Sequence, residues 1–402
     1  MPVRLDRAAT LWFAAIVIVF GGLYVRLAGM PPPALFALPD VPVAGASSAP
    51  HYRAQRVSTG VTRFAHAPTV VELSDGRLRA FWFGGSREGA TDSAVYSALL
   101  SPDTDAWRSE TAIVTPARLQ RDLHRWVRKV GNPVVVRDAH SRLWLFVVSV
   151  TAGGWSGSSV NVLISEDDGA TWGPARRLIT SPFFNLSTLV KGPAFLYADG
   201  SLGLPVYHEL IGKFGELLRL SPAGEVLGKQ RLSAGRHSLQ PVVVPRTPSD
   251  AIGFMRYAGD PPNRILGFAT ADAGRQWSEP AKIELPNPNA AIDALRLDDG
   301  ALLLVFNNTE SNRNDLSLAY AHDGHRWRVI HRVEYAAPGA DGQTVEYSYP
   351  RLLRTRDGIF HLLYSVGKGE VRHLRFNDAW LRSAITRASL PAAEEMAMRA
   401  VP

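Results

Sequence analysis

The stretch from Ser165 to Trp172, Ser-Glu-Asp-Asp-Gly-Ala-Thr-Trp, fills all four fixed positions of the pattern S-x-D-x-G-x-x-W, and it recurs. A second copy reads Thr270-Ala-Asp272-Ala-Gly274-Arg-Gln-Trp277; a worn third ends Gly324-His-Arg-Trp327, with Tyr320 and His322 in place of the polar pair. Each follows an apolar alternating run: Val160 to Ile164, Ile265 to Ala269 and Leu316 to Ala319. A hairpin turn accounts for the letters. Ser or Asp side chains bond backbone amides, Gly takes a positive φ, and Trp packs under the turn. Three such turns at recurring spacing point to a repeated β unit.

The surrounding chain has the same texture. Asp75-Gly76, Asp199-Gly200, Asp299-Gly300 and Asp357-Gly358 supply further turns. Thr69 to Leu73, Leu78 to Phe83, Leu143 to Val150, Leu302 to Phe306 and Ile359 to Tyr364 read as strands, and no stretch of the domain sustains helical spacing. About 325 residues, from Tyr52 to Phe376, divided into blades of about fifty to sixty residues give six blades. Radial repetition also removes the long edges that so many strands would otherwise expose. The expected fold is therefore all-β, a six-bladed propeller over residues 52–380.

Ala8 to Val25 is a run of eighteen residues without a charge, with Arg4 and Arg7 before it and Arg26 after. At about 1.5 Å per residue a helix of this length nearly crosses a hydrocarbon core. Residues 1–28 are thus expected to be a cytoplasmic stub and transmembrane anchor, with the propeller outside the cytoplasm, periplasmic in a Gram-negative cell. Residues 29–51 read as a Pro/Ala/Ser linker and residues 381–402 as a short helix and tail. The absence of cysteine excludes disulfides, thiolate metal sites and a Cys nucleophile. The charge of +7 is spread without a dense basic run, so nucleic acid is not an expected partner. His and Asp show no metal-ligand spacing, and neither a metal nor a cofactor is expected.

In a propeller the innermost strands line the axis, so polar residues near their starts converge at one end. In chain order these are His66, Arg87, Glu88, Asp92, Asn132, Lys191, His208, Glu209, Gln240, Arg256, Asp293, Glu310, Arg313, Tyr347, Tyr349 and Arg351. Strand alternation puts Tyr347 and Tyr349 on one face and Glu346 on the other. Structural readings stand beside the functional ones: Arg256 and Arg313 as channel ion pairs, His66 as a hydrogen-bonded channel residue, and Asn132 and Asp293 as turn residues.

The hairpin marker resembles the Asp box of the sialidase-like β-propellers. Four further runs are similar to a bacterial and plant branch of these BNR proteins, described as predicted neuraminidases: His66-Ala-Pro-Thr-Val-Val-Glu72-Leu, Trp82-Phe-Gly-Gly, Leu285-Pro-Asn-Pro-Asn289 with Ile292-Asp293-Ala294, and Glu346-Tyr-Ser-Tyr-Pro350. Together they cover nearly the whole domain. In a sialidase three arginines hold the substrate carboxylate, an Asp is acid/base, and a Tyr nucleophile is activated by a Glu. The resemblance makes Arg256 and Arg313 the second and third arginines. It makes Tyr349 the nucleophile, with the Tyr-Ser pair itself at Tyr347, and Asp92 the acid/base with Glu88 as its competitor.

Two positions depart from that pattern. His66 stands where the first arginine belongs, and Gln240 where the activating Glu belongs, sixteen residues ahead of Arg256. An amide cannot take a proton from tyrosine. Glu209 or Glu310 then substitutes, or Glu88 or Asp92 works with Glu209 as acid and base on another anionic sugar such as a uronic acid. Arg87, Lys191, Asp293 and Arg351 join His66, Gln240 and the two arginines as expected substrate contacts. The resulting expectation is an exo-glycosidase of sialidase type acting on a glycan, the alternative being a noncatalytic glycan-binding or polysaccharide-assembly propeller.

Overall fold

The computed structural model describes residues 7–28, 34–38, 49–101, 104–181, 185, 187–339 and 342–389. They fall into two compact units, one ending at Ala34 and one beginning at Leu35. The first contains a helix, Arg7–Ala28. Among the described residues no helix is long and apolar enough to cross a membrane, so the expected transmembrane anchor is not supported. Most of the expected linker, like the chain after residue 389, lies outside the described residues.

In the second unit the described residues form six antiparallel sheets, each one blade. The first blade runs Phe64–Glu72, Leu78–Gly85, Ala94–Ser101 and Ala106–Val114, from the axis outwards. The second to fifth blades follow in chain order, with innermost strands beginning at Lys129, Leu189, Ser238 and Asp293. The sixth is assembled from both ends of the unit. Tyr347–Arg354, Phe360–Val366 and Glu370–Phe376 are completed by the first strand, Tyr52–Arg56, in register from Tyr52 opposite Phe376 to Arg56 opposite Arg372. This pairing closes the ring, with Tyr52–Arg56 as the outermost strand of the last blade.

The apolar core lies between neighbouring blades. Val71, Phe81 and Val95 of the first blade meet Val135, Leu145 and Val147 of the second, and Leu303 and Leu318 of the fifth meet Leu352 and Leu362 of the sixth. Two helices flank the sheets. Asp378–Arg387 buries Trp380, Leu381 and Ala384. Pro116–Leu123 was not expected from helical spacing. Its signal is at its start, where Thr115 accepts from Arg118 N at 3.1 Å and Pro116 occupies the first turn.

The hairpin markers sit where the third strand turns into the fourth, on the outer side of their blades. Ser165 Oγ accepts from Gly169 N at 2.8 Å, Asp167 accepts from Thr171 N at 2.8 Å, and Trp172 meets Phe81 edge-on at 5.8 Å. Thr270 and Asp272 repeat the first two bonds. In the third marker the capping carboxylate is Asp323, which accepts from His325 N and Arg326 N at 2.8 Å; it stands one residue later than the pattern expects.

The third blade's innermost strand is broken into Leu189–Val190 and Phe195–Leu196 around Lys191-Gly192-Pro193. Pro193 has no amide to donate to a ladder. A Cβ on Gly192 would lie 2.0 Å from the carbonyl oxygen of Pro241 on the next blade, so only glycine fits there. The break lets Lys191 leave the sheet for the axis.

Candidate functional site

Every innermost strand, or the turn leading into it, carries one non-glycine residue at positive φ: Ala67, Asn132, Ser187, Gln240, Asn289 and Tyr349, with φ between 38° and 57°. Four of these precede a proline: Ala67-Pro68, Asn132-Pro133, Gln240-Pro241 and Tyr349-Pro350. At each of those four the ladder shifts register, the mark of a β-bulge. The bulges form a ring at one mouth of the channel and aim the neighbouring side chains inwards. The recurring x-Pro bulge at blade starts is a readable signal for four of the six positions; Ser187 and Asn289, which lack the proline, were not singled out from the sequence.

Two arginines meet at this ring. Arg256 donates through Nε to the Asn289 side-chain oxygen and through Nη1 to Gln240 Oε1 at 3.3 Å. Arg313 donates to the Asn289 carbonyl oxygen at 2.9 Å and lies 3.9 Å from Glu346. Burial, then the charge of Arg256, lowers the pKa of Arg313. Two guanidiniums held together in a partly buried place form a site for an anion. Glu346 lies beside Arg313 while Tyr347 joins the core, so the two point apart as alternation expects.

Tyr349 packs edge-on to His66, ring centres 4.4 Å apart, and against the small cluster of Phe64, Ala67 and Phe83. His66 is buried and its Nδ1 has no hydrogen-bond partner among the described residues. Burial, with Arg313, Lys368 and Lys191 adding, pushes its pKa down to about 3, so the group standing for the first arginine is neutral. Tyr207, missed in the sequence, is also buried here. Its hydroxyl oxygen accepts from Asn132 Nδ2 at 3.3 Å and Gln240 Nε2 at 3.4 Å, which joins three blades. Burial, then the charges of Tyr349 and Glu209, raises its pKa.

The candidate carboxylates separate clearly. Glu209 is partly buried at the mouth, with its amide bonded to Ser187 Oγ at 2.7 Å; burial raises its pKa, and Arg256 and Lys213 oppose the shift. Glu88, on the exposed loop after Gly85, acts electrostatically on both Arg313 and Lys129. Asp92 instead accepts from Ser86 N at 3.1 Å and Ser86 Oγ at 3.0 Å, and so closes its own loop. Glu310 is paired with Arg264 at 2.8 Å. Arg87 is exposed on the loop of Glu88, and its charge is felt by Lys129. Lys129 in turn lies 4.2 Å above the ring of Trp155, a pair the sequence reading did not find.

Tyr347 does not share the site. It is buried in the core between the fifth and sixth blades, because the bulge at Tyr349 breaks the two-residue period that placed both tyrosines on one face. Lys191, Asp293 and Arg351 lie deeper along the axis. Lys191 reaches across the channel from the third blade to the sixth and donates to the Pro350 carbonyl oxygen at 2.8 Å. Burial, opposed by Asp293, holds its pKa down to about 8. Asp293, fully buried, pairs with Arg351 at 3.0 Å and accepts from Leu352 N at 2.7 Å. The three form a polar seam across the channel beneath the mouth.

Solved structures share this architecture. The Hadza microbial sialidase Hz136 superimposes with a TM-score of 0.64 at 16% identity, over 80% of this chain and 66% of that one. The NanB sialidase from Streptococcus pneumoniae gives 0.64 at 10% identity, over 88% and 72%. A protein of unknown function from Dyadobacter fermentans gives 0.64 at 14% identity, over 81% and 99%. The chain therefore spans about 66% of the first sialidase and 72% of the second. No curated protein matches. The family model described as BNR repeat-like domain matches residues 76–362, most of the propeller and more than half of the chain. With its outer turns and six-bladed ring, this chain belongs to the BNR repeat-like domain family.

Proposed function

We propose that the ringed channel mouth binds the terminal acidic sugar of a glycan and hydrolyses its glycosidic bond in sialidase-like fashion. The observation that carries this reading is the meeting of Arg256 and Arg313 at Asn289, beside Tyr349, Tyr207 and Glu209. Paired guanidiniums hold a sugar carboxylate by charge-assisted bonds. Glu209, whose protonated form is favoured by burial, suits a general acid, and Glu88 is the carboxylate free to partner it. Tyr349 is the candidate nucleophile, with Gln240 unable to deprotonate it.

That same Gln240, bonded to Arg256 and Tyr207, favours a second reading in which the mouth binds an acidic glycan without turnover. The two separate on a panel of aryl glycosides that includes sialic acid and glucuronic acid derivatives. Turnover of an acidic glycoside is expected, falling about 10- to 100-fold in Arg313→Ala, as for loss of a hydrogen bond to a charged group. Loss of all turnover in Tyr349→Phe assigns the nucleophile. Acidic-glycan binding that weakens in Arg313→Ala, without turnover, selects the second reading; absence of both sinks the proposal.

A further inference from the structure

Beyond the seam the channel opens into a second compartment on the far side of the propeller. It consists of two adjoining cavities of about 350 and 560 Å³, lined by the far ends of innermost strands. The lining of the first is largely apolar, with Val136, Ala194, Leu196, Val244, Leu295 and Leu353 facing the space. The segment 35–38 straps one side. Phe36 N donates to Pro248 O at 2.8 Å, Ala37 N donates to Leu196 O at 2.9 Å, and Phe36 stacks on Tyr197, so Ala37 and Leu38 become part of the wall.

Five arginines stand in these walls, and four have carboxylate partners. Arg137 pairs with Asp168, Arg351 with Asp293, Arg354 with Asp298 and Arg356 with Glu72. Arg296 differs. It lines the smaller cavity and is partly buried, and its side chain has neither an ion pair nor a hydrogen bond among the described residues. A guanidinium against an apolar wall favours an anion beside it, because its own desolvation is otherwise uncompensated. The cavities also fall in the size range of small-molecule sites, which combine an apolar lining with a few polar anchors.

We propose that this far compartment is a binding site for an aliphatic carboxylate, its chain in the apolar space and its carboxylate on Arg296. The near mouth offers two arginines to a polar sugar; the far compartment offers one to an apolar anion. The seam of Lys191, Asp293 and Arg351 keeps the two apart.

Decanoate titrated by calorimetry into the whole protein is the direct probe, with decan-1-ol as its uncharged counterpart. One saturable site for decanoate is expected. Its Kd rises about tenfold or more in Arg296→Met, equivalent to about 1.4 kcal/mol, whereas decan-1-ol binding does not change. Ala194→Phe fills the space and abolishes both. Thermal melts of each variant show that the fold persists. Absence of saturable binding to the unaltered protein overturns the proposal. So does binding that ignores Arg296→Met and Ala194→Phe, or that is lost in Arg256→Ala, which would place decanoate at the near mouth.

Discussion

The outer turns and the channel mouth both bend the chain at positive φ, and they do so with different residues. In the turns glycine takes the shared position, Gly169 at 79°, Gly274 at 83° and Gly324 at 78°, with Asp168 at 56° and Ala273 at 59° just before it in the first two. At the mouth it is Ala67, Asn132, Ser187, Gln240, Asn289 and Tyr349. Left-handed backbone in a residue with a Cβ costs about 1–2 kcal/mol, and glycine avoids the cost. The mouth accepts it because at four of the six positions the side chain makes the contacts that build the site: Asn132 and Gln240 on Tyr207, Asn289 on Arg256, Tyr349 on His66. At the mouth the strained positions carry side chains that build the site.

The axis depends on buried polar contacts and the rim on local turn chemistry. The sharpest test of that division is Asp293→Asn, which leaves Arg351 unpaired in the seam. Removing one partner of a buried pair is expected to destabilise by about 3–5 kcal/mol in urea unfolding. A change below about 1 kcal/mol would show that the axis is held by blade packing instead.

Acid should act on the axis as well. His66 ordinarily titrates at 6.5 and is held at about 3 in the fold, so between those values the unfolded chain binds a proton that the folded chain does not. Stability is therefore expected to fall as pH drops through that window, by about 1.4 kcal/mol per pH unit for this histidine. His361, held at about 4, adds to the slope. Unfolding curves at several pH values should show a shallower dependence in His66→Gln; an unchanged slope would mean that His66 does not remain neutral.

The smallest effect compares the two kinds of positive φ. Gly169→Ala should destabilise by about 1–2 kcal/mol, since the new methyl also meets Arg79 at 3.1 Å and Trp172 at 3.2 Å. Ala67→Gly should be nearly neutral, with strain relief of about 1 kcal/mol offset by about 0.8 kcal/mol for a lost buried methyl. Equal costs at the two positions would remove the distinction.

The sequence by itself determined the repeated hairpin, and through it the propeller. Asp167, Gly169 and Trp172 act on atoms a few residues away, so their chemistry survives as a contiguous pattern. The strands likewise follow from alternation; the two arginines were singled out as inner-strand charges, but Arg256 lies on the second strand of its blade, Ala251–Tyr257, and Arg313 in the loop before the third, Asp315–Ala321, so the innermost strands alone do not supply the site. The site's membership was decided only in three dimensions, because its residues come from strands and loops of all six blades that meet at one end of an axis. A single bulge sent Tyr349 to the mouth and Tyr347 to the core. Asp92 turned back to its own loop, while Tyr207, unremarkable as one more aromatic in a strand, came to join three blades. Local bonds can be read along the chain; convergence depends on register, bulges and ring closure, which are set by partners far away in sequence.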